Sequence, residues 1–69
     1  MTDTLGDALP REMARVTKLI ALYASLPDGV GQFAIAMMRA DLDRAAKAMA
    51  EGDVAKMKHY YQELKGYAG

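Results

Sequence analysis

The chain has 69 residues, nine of them basic and nine acidic, with one histidine and no cysteine. A domain of this size holds one small core, worth about 3–5 kcal/mol unless a disulfide, a metal or self-association adds to it. Composition removes the disulfide, a lone His59 argues against structural zinc, and zero net charge argues against a dedicated nucleic-acid binder or a polybasic membrane anchor.

The first residues, Met1 to Asp7, carry two acids and no apolar run, so no leader peptide is expected. No segment approaches the ~20 apolar residues of a membrane span. These features point to a protein kept in the cytoplasm, without membrane, metal or cofactor.

Residues 1–8 are polar and lack a helical repeat, and are expected to form a flexible tail before a single helical domain over 9–69. Pro10 suits the opening turn of a helix, where its missing N–H has no partner to lose. From there Met13, Val16, Thr17, Ile20, Tyr23 and Ala24 form one stripe at three- and four-residue spacing, edged by Leu19, which predicts a first helix over about 10–26. Leu26-Pro27-Asp28-Gly29 interrupts it, with Asp28 placed to cap the next helix.

The second helix is expected over about 31–51. Its apolar residues fall on two faces: Ile35, Met38, Leu42, Ala45, Ala46 and Met49 on one, and Phe33, Met37 and Ala40 nearly opposite. The chain itself can cover one face. The second is either overlain by the first helix or closed by another molecule, and the shortage of core favours a two-fold dimer through Phe33, Met37 and Ala40, with Ala36 and Ala40 permitting close backbone approach.

Gly52-Asp53 then marks a joint, with Gly52 at a left-handed C′ position and Asp53 capping a third helix over about 54–66. Val54, Met57, Tyr60, Tyr61 and Leu64 give that helix its apolar face. With few β-branched residues and no alternating run, the expected fold is all-α: three helices, the second and third forming an antiparallel hairpin with the first packed across them, and a homodimer expected on core volume.

No candidate site reads as catalytic. His59 lies among polar residues with no nucleophile in fixed relation to it, so a surface role fits better than that of a base. Asp41 and Asp43 are two residues apart on a helix, point about 200° apart and cannot share a metal; solvated charge explains both, with Asp43 four residues before Lys47. Gly29-Val30-Gly31 lacks the strand and lysine of a phosphate loop. A non-enzymatic protein is therefore expected.

Arg11, Arg15, Lys18 and Leu22, spaced four, three and four apart, form a ridge facing away from the core stripe of the first helix. A solvated basic face is the plainer reading; the functional one is a contact with an acidic protein surface, anchored by Leu22. Of Tyr60, Tyr61 and Tyr67, Tyr61 is expected in the core and the other two at the rim of a contact.

Two resemblances arise from these residues. Ala45-Ala46-Lys47 through Gly52-Asp53 to Tyr61 resembles one helix-turn-helix unit of a tetratricopeptide repeat, but stacked arrays need about three units, so the likeness is architectural. Glu12-Met13-Ala14-Arg15-Val16, Leu26-Pro27-Asp28-Gly29-Val30-Gly31, Ala36-Met37-Met38, Asp43-Arg44-Ala45, Ala50-Glu51-Gly52-Asp53 and Tyr60-Tyr61-Gln62-Glu63-Leu64-Lys65 resemble a family of very short early-region proteins of Mu-like transposable bacteriophages, which includes a quorum-sensing anti-activator. The similarity runs from about Leu9 to the end.

The resemblance implies a helical homodimer in the host cytoplasm that binds the DNA-binding domain of a LuxR-type activator and keeps it from DNA, and that also binds the type IV pilus assembly ATPase. On that reading Asp41, Asp43 and Glu63 imitate phosphates while Tyr60, Met37 or Leu22 supply apolar anchors. The competing expectations are a phage structural or assembly module with no host target and, more weakly, nucleic-acid binding through Arg11, Arg15 and Lys18.

Overall fold

The computed structural model describes residues 4–68, which form three α-helices and one short 3₁₀ turn, with no strand among them. Helix α1 spans Leu5–Ala24, α2 spans Gln32–Glu51 and α3 spans Val54–Lys65; the 3₁₀ turn Pro27–Gly29 lies between α1 and α2. All three helices pack on one another, with α2 and α3 as an antiparallel hairpin and α1 against both.

Helix α1 starts earlier than Pro10 predicts. Thr4 is its N-cap: the hydroxyl oxygen accepts from the Asp7 amide at 3.2 Å and the hydroxyl donates to Asp7 Oδ2 at 2.8 Å. Residues 5–8 are therefore helical rather than part of a tail, and residues 1–3 of that expected tail lie outside the described residues. Pro10 sits inside the helix, where it forgoes only the bond to the carbonyl of exposed Gly6.

The early start adds Leu9, fully buried, to the core with Val16 and Leu19. The buried stripe of α1 is thereby rotated from the predicted one. Leu19 is buried with Leu9 and Val16, while Thr17 and Ala24 are exposed and the Thr17 hydroxyl donates to the Met13 carbonyl. The reason is that α1 touches two neighbours and buries a broader arc than one stripe.

The corner between α1 and α2 also differs from expectation. Asp28 does not cap α2; it lies inside the 3₁₀ turn at φ 59°, followed by Gly29 at φ 68°. Aspartate tolerates this left-handed conformation better than most residues. The N-cap of α2 is Gly31, which makes no side-chain bond, and its role is steric. A Cβ there would lie 2.5 Å from the Tyr23 carbonyl oxygen, so α1 and α2 meet at a point only glycine fits.

Helix α2 buries Ile35, Met38, Ala45 and Ala48. Ala46, expected in the core, is exposed, and Ala48 takes its place where α3 folds back. The hairpin joint matches its prediction. Gly52 is left-handed at φ 66°, its amide reaches the Met49 carbonyl and the Asp53 amide reaches the Ala48 carbonyl, the paired bonds of a Schellman motif. Asp53 then caps α3 by accepting from the Lys56 amide at 3.1 Å. Val54, at the first position of α3, is exposed rather than on the apolar face; Leu64 is fully buried, with Met57, Tyr60 and Tyr61 packed against the core.

Candidate interaction surface

The exposed large apolar side chains are concentrated at the α1–α2 corner. Leu22 and Leu26 end the first arm, Val30 follows the turn, and Phe33 and Met37 open α2, with Val54 the other exposed residue of this kind among the described residues. Phe33 is 79% exposed and Val30 71%. Phe33 and Met37 are one helical turn apart, and half-buried Ala40 continues their row.

This answers the question left by the two faces of α2. Helix α1 does not overlie Phe33 and Met37; it covers Met38 and Ala45, in the same core as Leu9 and Val16. The second face of α2 is uncovered within a single chain. Covering a ring such as that of Phe33 is worth about 1.5–3 kcal/mol, which makes this apolar run the candidate contact surface.

The predicted basic ridge of α1 is not a ridge of free charges. Arg11 and Lys18 are exposed, but Arg15 is half-buried and turned toward the end of α3. Its Nη2 donates to the Leu64 carbonyl at 2.8 Å, Nη1 to the Tyr67 carbonyl at 2.9 Å and Nε to Glu12 Oε2 at 2.8 Å. A guanidinium with its planar fork on a helix C-terminus meets the negative end of the helix dipole, so Arg15 serves the fold.

Asp41 is likewise corrected from solvated surface charge. Its side chain is 13% exposed, Oδ2 accepts from the Tyr67 hydroxyl at 2.7 Å, and Oδ1 lies 3.9 Å from Arg44 Nη1. Tyr67, expected at a contact rim, is thus a structural residue. Burial, the bond to Asp41 and the charges of Asp41 and Glu63 push its phenol up to about 12. The Tyr23 hydroxyl adds a bond to the Ala68 carbonyl at 3.0 Å, so the segment after α3 is held by α1 and α2 together.

Asp43 and Glu63 are exposed, as is Leu22. They are not brought into one cluster with Arg15 and Asp41, which are engaged inside the fold. Tyr60 is half-buried, with His59 edge-on at 4.8 Å between ring centroids; His59 itself is exposed, its Nε2 3.9 Å from Glu63 Oε1. Tyr61 is partly buried with Lys65 Nζ 5.6 Å from its ring centroid.

The residues overlooked in the sequence are Leu26 and Val30, which extend the apolar run across the turn. Their signal is present in the sequence: five large apolar residues from position 22 to 37, Leu22, Leu26, Val30, Phe33 and Met37, fall outside both core stripes. Among the described residues no group of three or more His, Cys, Asp or Glu side chains is placed to hold a metal, and no helix is long and apolar enough to cross a membrane. Comparison of the chain with family models, with characterised proteins and with solved structures returns no match.

Proposed function

We propose that this chain is a non-enzymatic, phage-encoded inhibitor that binds a host protein and acts by occlusion. Its target on this reading is the DNA-binding domain of a LuxR-type quorum-sensing activator, with the type IV pilus assembly ATPase as a second target. The target classes rest on the sequence resemblance alone. The observation that supports a binding role is the exposed apolar run Leu22, Leu26, Val30, Phe33 and Met37, which the described residues leave uncovered.

The run divides naturally between two contacts. Phe33, Met37 and Ala40 form a straight row on α2 suited to a two-fold contact with a second copy, small Ala36 and Ala40 accepting the larger side chains across the axis. Leu22 and Leu26 are then left as anchors for the host protein, with Asp43 and Glu63 supplying exposed carboxylates toward a basic recognition surface. Arg15 and Asp41 take no part, because both are committed to the C-terminal segment.

The test is a DNA-binding titration: a LuxR-type DNA-binding domain on labelled operator DNA, with the purified chain added and its mass followed by light scattering. The reading predicts a dimer mass and stoichiometric release of the DNA. Undisturbed DNA binding at tenfold excess, with the pilus ATPase also unbound, overturns it in favour of a phage-internal assembly role.

A further inference from the structure

A second feature lies at the other end of α2. A groove of about 190 Å³ runs between α2 and α3 beside the hairpin, lined by Arg44, Lys47, Ala48, Glu51, Lys56 and Tyr60. We propose that this groove binds an acidic peptide segment of a partner protein, seating a carboxylate among Arg44, Lys47 and Lys56.

Charge is the first argument. The lining holds three cations and one acid, on a chain whose nine cations and nine acids balance. The acids paired with Arg44 and Lys56 hold them loosely: Arg44 Nη1 is 3.9 Å from Asp41 and Lys56 Nζ is 4.0 Å from Asp53, with the two basic side chains about 60% exposed. Exposed pairs at that distance contribute little. Asp41 is moreover engaged at its other oxygen by Tyr67, so an incoming carboxylate has no strong pair to break.

Shape is the second. Ala48 is buried and has the shortest side chain of the lining, and beside it Tyr60 is half-buried, its ring met edge-on by His59. Tyr60 offers an apolar flank to the methylene stem of an acidic side chain, while the planar fork of Arg44 donates to its two oxygens in parallel. Glu51 in the same lining opposes a doubly charged phosphate more than a singly charged carboxylate.

The groove is distinct from the apolar corner. Phe33 and Lys47 are fourteen residues apart on α2, about 21 Å at 1.5 Å per residue. The inference therefore stands or falls apart from the proposed function.

The experiment is an amide chemical-shift titration of the full chain at low salt with a synthetic peptide carrying four glutamates. Matched arms use the same peptide with glutamines and inorganic phosphate. Saturable shifts confined to residues 44–60, absent with the glutamine peptide and reduced at least tenfold in affinity in a Lys47→Glu/Lys56→Glu variant with unchanged circular dichroism, are expected. Phe33→Glu should leave the binding intact. The proposal is overturned by unsaturable shifts, by phosphate binding as tightly as the peptide, or by Lys18→Glu on α1 weakening binding as much as the groove variant, which would mark unspecific attraction.

Discussion

Tyr67 donates its hydroxyl to Asp41 Oδ2 at 2.7 Å, tying the segment after α3 to the middle of α2. The phenol is pushed up to about 12, chiefly by burial and then by Asp41. A folded-state value above the unfolded value of about 10 means that this contribution is complete below pH 10 and is lost as the pH rises through about 12. Urea unfolding between pH 9 and 12 should show wild-type stability falling across that window, and Tyr67→Phe falling less steeply. At pH 7 the variant should be less stable by about 1–3 kcal/mol, because Asp41 loses a donor in a sheltered position. Parallel curves for the two proteins would show that the bond does not persist in solution.

Arg15 closes the same end of the molecule from the other side, on the Leu64 and Tyr67 carbonyls. Arg15→Ala should cost about 1–3 kcal/mol, the range for charge-assisted hydrogen bonds in a partly exposed setting. Arg15→Lys should recover less than half of that loss, since a single ammonium cannot span both carbonyls as the guanidinium fork does. Lys18→Ala, on the exposed side of α1, should stay within about 0.5 kcal/mol. Chemical denaturation of the three variants separates a cap from a basic surface ridge: equal effects at positions 15 and 18 would contradict the assignment.

The two glycine joints fail in different ways. At Gly52 an added Cβ meets nothing within 4 Å, so Gly52→Ala bears only the left-handed backbone, about 1–2 kcal/mol. At Gly31 the backbone is ordinary, but the Cβ meets the Tyr23 carbonyl oxygen at 2.5 Å, and α1 must shift away. Gly31→Ala should therefore cost as much or more, about 1–3 kcal/mol, and should also perturb the amide shifts of residues 22–26, which Gly52→Ala should leave in place. Nuclear magnetic resonance of the two variants checks both halves.

The difference between these joints also marks how far the sequence is readable. Gly52-Asp53 works through local rules, a left-handed C′ and an N-cap, and both are visible in six residues of sequence. Gly31 works through a contact with Tyr23 that exists only once α1 and α2 have packed, so it reads locally as a weak helix start. Arg15 and Asp41 follow the same logic. Their partners at Leu64 and Tyr67 are 49, 52 and 26 residues away, and no periodicity announces a hydrogen bond across that separation. Thr4 is the exception: Thr4 and Asp7 stand at capping-box spacing, a local signal outweighed by the pull of Pro10 as a first-turn residue. The face carrying Phe33 and Met37 was legible because an apolar row outside a helix's core stripe needs no partner to be seen.

That face carries the last prediction. Because Phe33 is 79% exposed in the single chain, replacing it should barely touch the fold, whereas any molecule that covers it should feel the change fully. Phe33→Glu should alter the unfolding free energy of the isolated chain by no more than about 0.5 kcal/mol, with helical circular dichroism unchanged. In association the same change removes about 1.5–3 kcal/mol of burial and adds a charge that must be desolvated, so a complex through this row should weaken by more than about tenfold. If the complex is a pair of identical chains, each carries the substitution and the loss is doubled. Sedimentation at a series of concentrations reads the outcome: a wild-type dimer and a Phe33→Glu monomer place the two-fold contact on this row. Two dimers of equal strength would move it elsewhere and leave Phe33, with Leu22 and Leu26, to a different protein. Met37→Ala gives the intermediate case, a smaller apolar loss without the charge, and should shift the dimer constant in the same direction by a smaller factor.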